Sequence, residues 1–238
     1  MNFSVSPLSL ASVSSTHDIL GLGANDMSDS KTTAITITPR GPYVCSGPCK
    51  VIDTSGNPVP NEFETFLCRC GYSKNKPLCD GAHGPYQFNK DIQPEPDTGV
   101  VRTYRGKVEV RYNPTICAHL GVCTSGLPEV FDTNRRPWIL PDNADAAQVI
   151  DAVNRCPSGA LTAHITPPNS ADKSDKMTEP TVRAQTNGPL VVQGWIEIED
   201  ITWPEGAVRD RFTLCRCGAS RTMPFCDGSH STVGFTDE

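Results

Sequence analysis

Two loops of this chain carry the same spaced set of three cysteines and one histidine, in the pattern Cys-x-Cys-x8-Cys-x3-His. The candidate metal ligands are Cys68, Cys70, Cys79 and His83 in the first loop and Cys215, Cys217, Cys226 and His230 in the second. Two cysteines one residue apart suit one iron of a wider cluster better than a single tetrahedral ion. A cysteine and a histidine four positions apart lie about one helical turn apart, so both can face one point. Since three cysteines and a histidine also form a common zinc site, zinc remains an alternative on spacing alone.

The two loops belong to an internal repeat. Adding 147 to a residue number takes Cys68 to Cys215 and His83 to His230 without a gap. Residues 41–83 and 188–230 are therefore two copies of one unit, each opening with an apolar stretch that predicts β-strand. A unit of this size buries little core, so a bound metal centre would supply part of its stability.

Each loop resembles, at every position, the CDGSH-type iron–sulfur motif of the mitoNEET family, C-x-C-x2-[ST]-x3-P-x-C-D-G-[SAT]-H. The resemblance implies a 2Fe-2S cluster in each copy, with one iron held by the paired cysteines and the other by the third cysteine and the histidine. It also implies that two serines and two aspartates orient the ligands, namely Ser73, Asp80, Ser220 and Asp227. Because members of this family pair about a two-fold axis, two copies on one chain predict a pseudo-symmetric intramolecular pair.

A third group of cysteines, Cys117, Cys123 and Cys156, lies between the copies. The segment 108–163 resembles a divergent single-cluster ferredoxin domain, in which closely spaced cysteines precede a remote Cys-Pro. Leu120 stands where that pattern has its second cysteine. Three cysteines favour a 3Fe-4S cluster, while a 4Fe-4S cluster with His119 as a fourth ligand is the alternative. His119 as a surface residue, and the three cysteines as core packing, are the simpler interpretations.

The predicted fold class is α+β, built from small metal-stabilised domains. It comprises two β-rich CDGSH units in an intramolecular pseudo-two-fold pair and one ferredoxin-like α+β unit. The predicted boundaries are 1–39 for a disordered N-terminal extension, 40–92 for the first CDGSH domain, 100–166 for the ferredoxin-like domain, 167–187 for a linker and 188–236 for the second CDGSH domain. Within the middle domain we expect a β-hairpin and a helix that begins at a cap on Asp142 or Asn143.

Two of the eleven cysteines remain unassigned. Cys45 and Cys49 align with Val192 and Ile196, so we expect them to pack as small apolar side chains. The odd cysteine count and the lack of a secretory signal favour a reducing, cytoplasmic location, with Met27 as a candidate start. Organellar targeting is the weaker alternative, because residues 1–26 contain no Lys or Arg.

The function predicted from these features is electron transfer by iron–sulfur clusters, with a redox protein or an apo-protein that accepts clusters as partner. A neutral imidazole makes a cluster easier to reduce and can take up a proton near physiological pH. A cluster carrier or store and a zinc-stabilised interaction module are the alternatives. No motif of an enzyme stands out. The net charge of −6 indicates neither nucleic-acid nor membrane binding.

Overall fold

A computed structural model of the chain describes residues 32–60, 63–88, 101–165 and 179–238. Most of the predicted extension 1–39 and of the predicted linker 167–187 lies outside these residues. The described residues form two four-stranded sheets and one three-stranded sheet. None of the helices in these ranges is both long enough and apolar enough to cross a membrane.

The first sheet draws its strands from both repeat units. In spatial order it contains β10 (Glu197–Ile198), β1 (Ala34–Ile37), β2 (Tyr43–Ser46) and β4 (Glu64–Leu67). The strands β1, β2 and β4 are antiparallel neighbours, whereas β10 comes from the second unit and runs parallel to β1. The edge of the first unit is thus completed by a strand of the second.

The second sheet repeats this arrangement with the roles exchanged. It contains β11 (Arg211–Leu214), β9 (Leu190–Gln193), β8 (Thr181–Ala184) and, from the first unit, β3 (Lys50–Ile52). Ala34 pairs with Glu197 in the first sheet and Thr181 pairs with Lys50 in the second, which is the same register after the shift of 147. The predicted pseudo-two-fold pair is therefore present, held together by exchanged strands.

Two predicted boundaries are wrong. The strand β1 lies in the segment assigned to the N-terminal extension, and β8 lies in the segment assigned to the linker. Both strands are four residues long, and both bury alternate side chains, Ile35 and Ile37 in β1 and Val182 and Ala184 in β8. Their parallel partners are more than a hundred residues away in the chain, so local sequence gave little sign of them.

The middle unit has its own sheet of β5 (Arg102–Tyr104), β6 (Val108–Tyr112) and β7 (Leu161–Ile165), with β6 in the centre and both pairings antiparallel. Helix α1 spans Val122–Gly126 and helix α2 spans Ala146–Asn154. The hairpin was predicted correctly, but the helix cap was not. The helix α2 begins after Asp145, whose carboxylate forms a capping box with Gln148, and a 3-10 turn occupies Pro141–Asn143.

Candidate metal centres

The first cysteine-rich loop folds back on the strand that precedes it. Leu67 at the end of β4 forms an antiparallel bridge with Leu78. On either side of this bridge, Cys68 N–H donates to Pro77 O at 2.8 Å and Cys79 N–H donates to Phe66 O at 2.8 Å. These bonds bring the third cysteine back beside the first, although eleven positions separate them in sequence.

The four candidate ligands of this loop form two close pairs. The Sγ atoms of Cys68 and Cys70 are 3.8 Å apart, and Cys79 Sγ lies 3.4 Å from His83 Nδ1. The sulfur–sulfur hydrogen bond lowers the pKa of Cys68 to about 6 and, together with burial, raises the pKa of Cys70. Burial raises the pKa of Cys79. A bound metal would replace the thiol protons, which ties its affinity to pH.

The second loop has the same geometry. Its strand β11 leads to an antiparallel bridge between Leu214 and Phe225. Its sulfur–sulfur pair, Cys215 with Cys217, is separated by 3.7 Å, and Cys226 Sγ lies 3.4 Å from His230 Nδ1. Hydrogen bonding between the paired sulfurs lowers the pKa of Cys217 to about 7, and burial raises the pKa of Cys226 to about 12.

The pairing of the donors bears on the kind of metal centre. In the part of the chain that the structure describes, no three His, Cys, Asp or Glu side chains are grouped to hold one metal ion. Each loop instead presents a dithiol pair and a thiol–imidazole pair. Thiol and imidazole groups are donors that suit iron–sulfur binding.

The serines and aspartates predicted to orient the ligands hold the loops together. Ser73 Oγ donates to Leu78 O at 2.6 Å, and Ser220 Oγ donates to Phe225 O at 2.7 Å, so each serine fixes the residue just before the third cysteine. Asp80 accepts the N–H of Ala82, and Asp227 accepts that of Ser229. Each aspartate thereby orders the turn that carries the histidine.

Two buried arginines support the same loops, and our sequence analysis missed them. Arg69 and Arg216 stand between the paired cysteines, and each is 1% exposed. Arg69 Nε donates to Gly41 O at 2.9 Å, and Arg216 Nε donates to Gly188 O at 3.0 Å. The side chain of Arg216 also pairs with Asp237. Both copies of the repeat have an arginine at this position, and this agreement was the sequence feature that could have pointed to its role.

The two cluster loops touch each other at a pair of glycines. Gly71 has φ +85°, and a Cβ on it would lie 2.9 Å from Cys217 O; Gly218 has φ +76°, and its Cβ would lie 2.7 Å from Cys70 O. No side chain fits between the backbones at these points. Each glycine directly follows a candidate ligand, so the two sites approach each other closely across the pseudo-two-fold axis.

The third candidate site is a cavity of about 440 Å³ in the middle unit. All three cysteines line it, together with His119, Leu120 and Tyr112. Burial, with a further contribution from the charge of Cys156, raises the pKa values of Cys117 and Cys123, the latter to about 11. The three candidate ligands thus line one cavity, as ligands of one centre must. Leu120 lies in the same cavity without a donor atom.

The remaining cysteines behave as predicted from the repeat. Cys45 is 1% exposed and Cys49 is 6% exposed, and both belong to the same apolar core as Val192 and Ile196. A hydrogen bond between the two thiols raises the pKa of Cys45 and lowers that of Cys49. They lie in a core cluster that is separate from the one containing Cys68 and Cys70.

Comparison with known proteins agrees with this arrangement. A family model described as "Iron-binding zinc finger CDGSH type" matches residues 40–84 and 187–231. A second model, described as "Divergent 4Fe-4S mono-cluster", matches residues 104–164. Two curated relatives, the uncharacterized protein YjdI of Escherichia coli strain K12 and that of Escherichia coli O157:H7, are each 45% identical over 64 residues. Each match covers 26% of this chain and 84% of the relative.

Proposed function

This chain is a tandem member of the CDGSH-type iron-binding family with a divergent single-cluster domain between its two copies, and we propose that it is an electron-transfer protein. Iron–sulfur binding follows from both families. The main support for electron transfer is that one chain contains three cysteine sites of the kind that bind iron–sulfur clusters. The backbones of two of these sites are in contact at Gly71 and Gly218.

We assign one iron position to each close pair of candidate ligands. In the first site, Cys68 and Cys70 would hold one iron of a 2Fe-2S cluster, and Cys79 and His83 would hold the other. Such a cluster supplies reversible one-electron chemistry. His83 Nδ1 faces the cysteine sulfur, so Nδ1 would be the ligating nitrogen and Nε2 would remain available to a proton. The second site repeats these roles with Cys215, Cys217, Cys226 and His230.

For the middle site we favour a 3Fe-4S cluster. Three cysteines line the cavity, and Leu120 stands where the ferredoxin pattern has its second cysteine, which leaves three cysteine ligands. The His119 ring packs against Gly228 of the second CDGSH unit, which supports a contact role for this residue. A 4Fe-4S cluster with His119 as a ligand is the alternative, and the matching family model is described by that cluster type.

A cluster carrier is the second candidate function, because Cys79 and His83 are only half-buried. A cluster held there could be passed to an apo-protein, whereas an electron carrier would exchange electrons with a redox protein. Eleven free thiols support a reducing compartment such as the cytoplasm for either function.

Anaerobic purification followed by a redox titration tests the proposal. The protein should be red-brown, contain about seven irons per chain and take up electrons reversibly at all three centres. About eight irons would indicate a 4Fe-4S middle centre. Colourless protein with stoichiometric zinc would overturn the iron–sulfur assignment. Clusters that move to apo-acceptors but do not cycle between redox states would favour the carrier.

A further inference from the structure

The two CDGSH sites have the same candidate ligands at matching positions, but their ligands differ in burial. Cys226 is 2% exposed and His230 is 7% exposed, whereas Cys79 and His83 are half-buried. The difference is clearest at the glycine before the histidine turn. Gly81 and Gly228 both have φ +85°; a Cβ on Gly81 would meet no described atom within 4 Å, but a Cβ on Gly228 would collide with the His119 ring.

Other contacts extend this cover over the second site. Thr222 Oγ1 donates to Thr115 O at 2.9 Å, which fixes the segment just before Cys117 against the second cluster loop. Asn113 Nδ2 donates to Glu205 O at 2.9 Å. Gly159 lies so close to the start of β11 that a Cβ there would be 2.6 Å from Arg211 O. The middle unit is therefore packed closely against the second CDGSH unit around both cluster sites.

Both contacts with the second cluster loop come from the immediate surroundings of a candidate ligand of the middle site. Thr115 lies two residues before Cys117 in the chain, and His119 lies two residues after it. The first CDGSH site makes its own close approach to the second, through Gly71 and Gly218.

We propose that the second CDGSH site is the internal relay of the molecule, so that electrons move between the first CDGSH site and the middle site by way of the second CDGSH site. The spatial order of the three sites then differs from their order along the chain. The His119 contact on Gly228 is the junction between the second and the middle site. This inference rests on the proposed electron-transfer function. Each step would move one electron from a reduced to an oxidised centre, with no bond formed or broken, and external redox proteins would supply and remove the electron.

Electron paramagnetic resonance of the fully reduced protein tests this order, because a nearby paramagnetic centre speeds spin relaxation. The two reduced 2Fe-2S signals can be assigned with His83→Cys and His230→Cys, each of which alters one signal. The second-site signal should need several-fold more microwave power to saturate than the first-site signal. Equal saturation of both signals, or faster relaxation of the first-site signal, would overturn the proposed order.

Matched glycine variants test the His119 junction. Gly228→Ala and Gly81→Ala impose the same backbone strain at φ +85°, but only Gly228→Ala collides with the His119 ring. Gly228→Ala should reduce the relaxation enhancement of the second-site signal, Gly81→Ala should leave it unchanged, and Gly228→Ala combined with His119→Ala should restore it. Thr222→Val, which removes the bond to Thr115, should also reduce it and serves if Gly228→Ala does not fold. Enhancement that survives both Gly228→Ala and Thr222→Val would overturn the junction.

The two proposals fail in different ways. Clusters that cannot be reduced reversibly would contradict electron transfer as a whole. Clusters that all cycle reversibly, but without selective relaxation of the second-site signal, would leave electron transfer standing and refute only the relay order.

Discussion

The histidine of each CDGSH site has the same cysteine neighbour in both copies but differs in burial between them. In both, Nδ1 faces the neighbouring cysteine sulfur at 3.4 Å, which leaves Nε2 for a proton. His83 is half-buried, whereas His230 is 7% exposed, and burial lowers the pKa of His230. A lowered pKa means that the protonated form of His230 is reached only at lower pH.

We predict that both outer centres have potentials that fall as pH rises. Reduction adds negative charge to the centre and strengthens proton binding at Nε2, so the slope can approach about 59 mV per pH unit for one proton and one electron. A potentiometric titration followed by electron paramagnetic resonance measures both slopes.

Replacing each histidine with cysteine provides the control for this prediction. His83→Cys should lower the potential of the first centre and remove its pH dependence, while the second centre keeps both. His230→Cys should do the reverse. Potentials that are flat with pH in the unmodified protein would show that the histidines only raise the potential and do not carry protons.

A second prediction at this scale concerns Cys45 and Cys49. Changing them to Val and Ile, the residues at the matching positions of the second copy, should leave iron content unchanged. The larger side chains would change the free energy of unfolding by no more than about 1–3 kcal/mol, the range for overpacking a core. Iron analysis and denaturant unfolding measure the two effects. Loss of a cluster's iron would show that these cysteines are ligands.

At the scale of elements, the exchanged strands β3 and β10 make the two CDGSH units depend on each other. Ile198 in β10 is 5% exposed and pairs with Ile35 in β1 of the first unit. A residue of the second unit therefore helps to build the sheet that leads to the first cluster loop. Neither sheet would keep its fourth strand if the units separated.

We predict that Ile198→Ala destabilises the first metal site although it lies in the sequence of the second unit. Truncating a buried isoleucine typically costs about 2–5 kcal/mol in the free energy of unfolding. Both 2Fe-2S absorption bands should be lost in one denaturant transition at a lower midpoint. Glu197→Ala, on the exposed face of the same strand, should change stability by less than about 0.5 kcal/mol. Independent loss of the two bands would contradict the exchange.

At the scale of the whole molecule, the middle unit breaks the symmetry of the CDGSH pair. It contacts the second cluster loop through His119 and Thr115, whereas the corresponding ligands of the first loop, Cys79 and His83, are half-buried. Two loops with the same ligand geometry are thus given different access to solvent.

We predict that mild acid or a chelator removes the two outer clusters in two phases, the first site being the faster. Thr222→Val should speed the slow phase by about 2- to 10-fold, because one hydrogen bond contributes about 0.5–1.5 kcal/mol. Asn75→Val, the matching change in the first loop, should leave both phases unchanged. Visible circular dichroism during incubation follows the loss. A single phase in the unmodified protein would show that the middle unit gives no protection.

The sequence by itself predicted the candidate ligand sets and determined the presence of a repeat. The spacing of cysteine and histidine in each loop is local, and a shift of 147 exposes the repeat without a structure. The same shift correctly placed Cys45 and Cys49 in the core, because equivalent positions of a repeat share their burial. The helix cap was misplaced by a few residues because several Asp and Asn side chains near 142–145 could serve as caps.

Only the tertiary structure decided which parts meet. The pairing of β1 with β10 and of β8 with β3 joins short segments that are far apart in the chain, and short strands carry little local signal. The burial of the second site depends on where the middle unit packs. The repeat cannot predict this position, because it makes the two loops equivalent. The order of the three sites in space is for the same reason a property of the folded molecule, because packing rather than sequence position sets the distance between them.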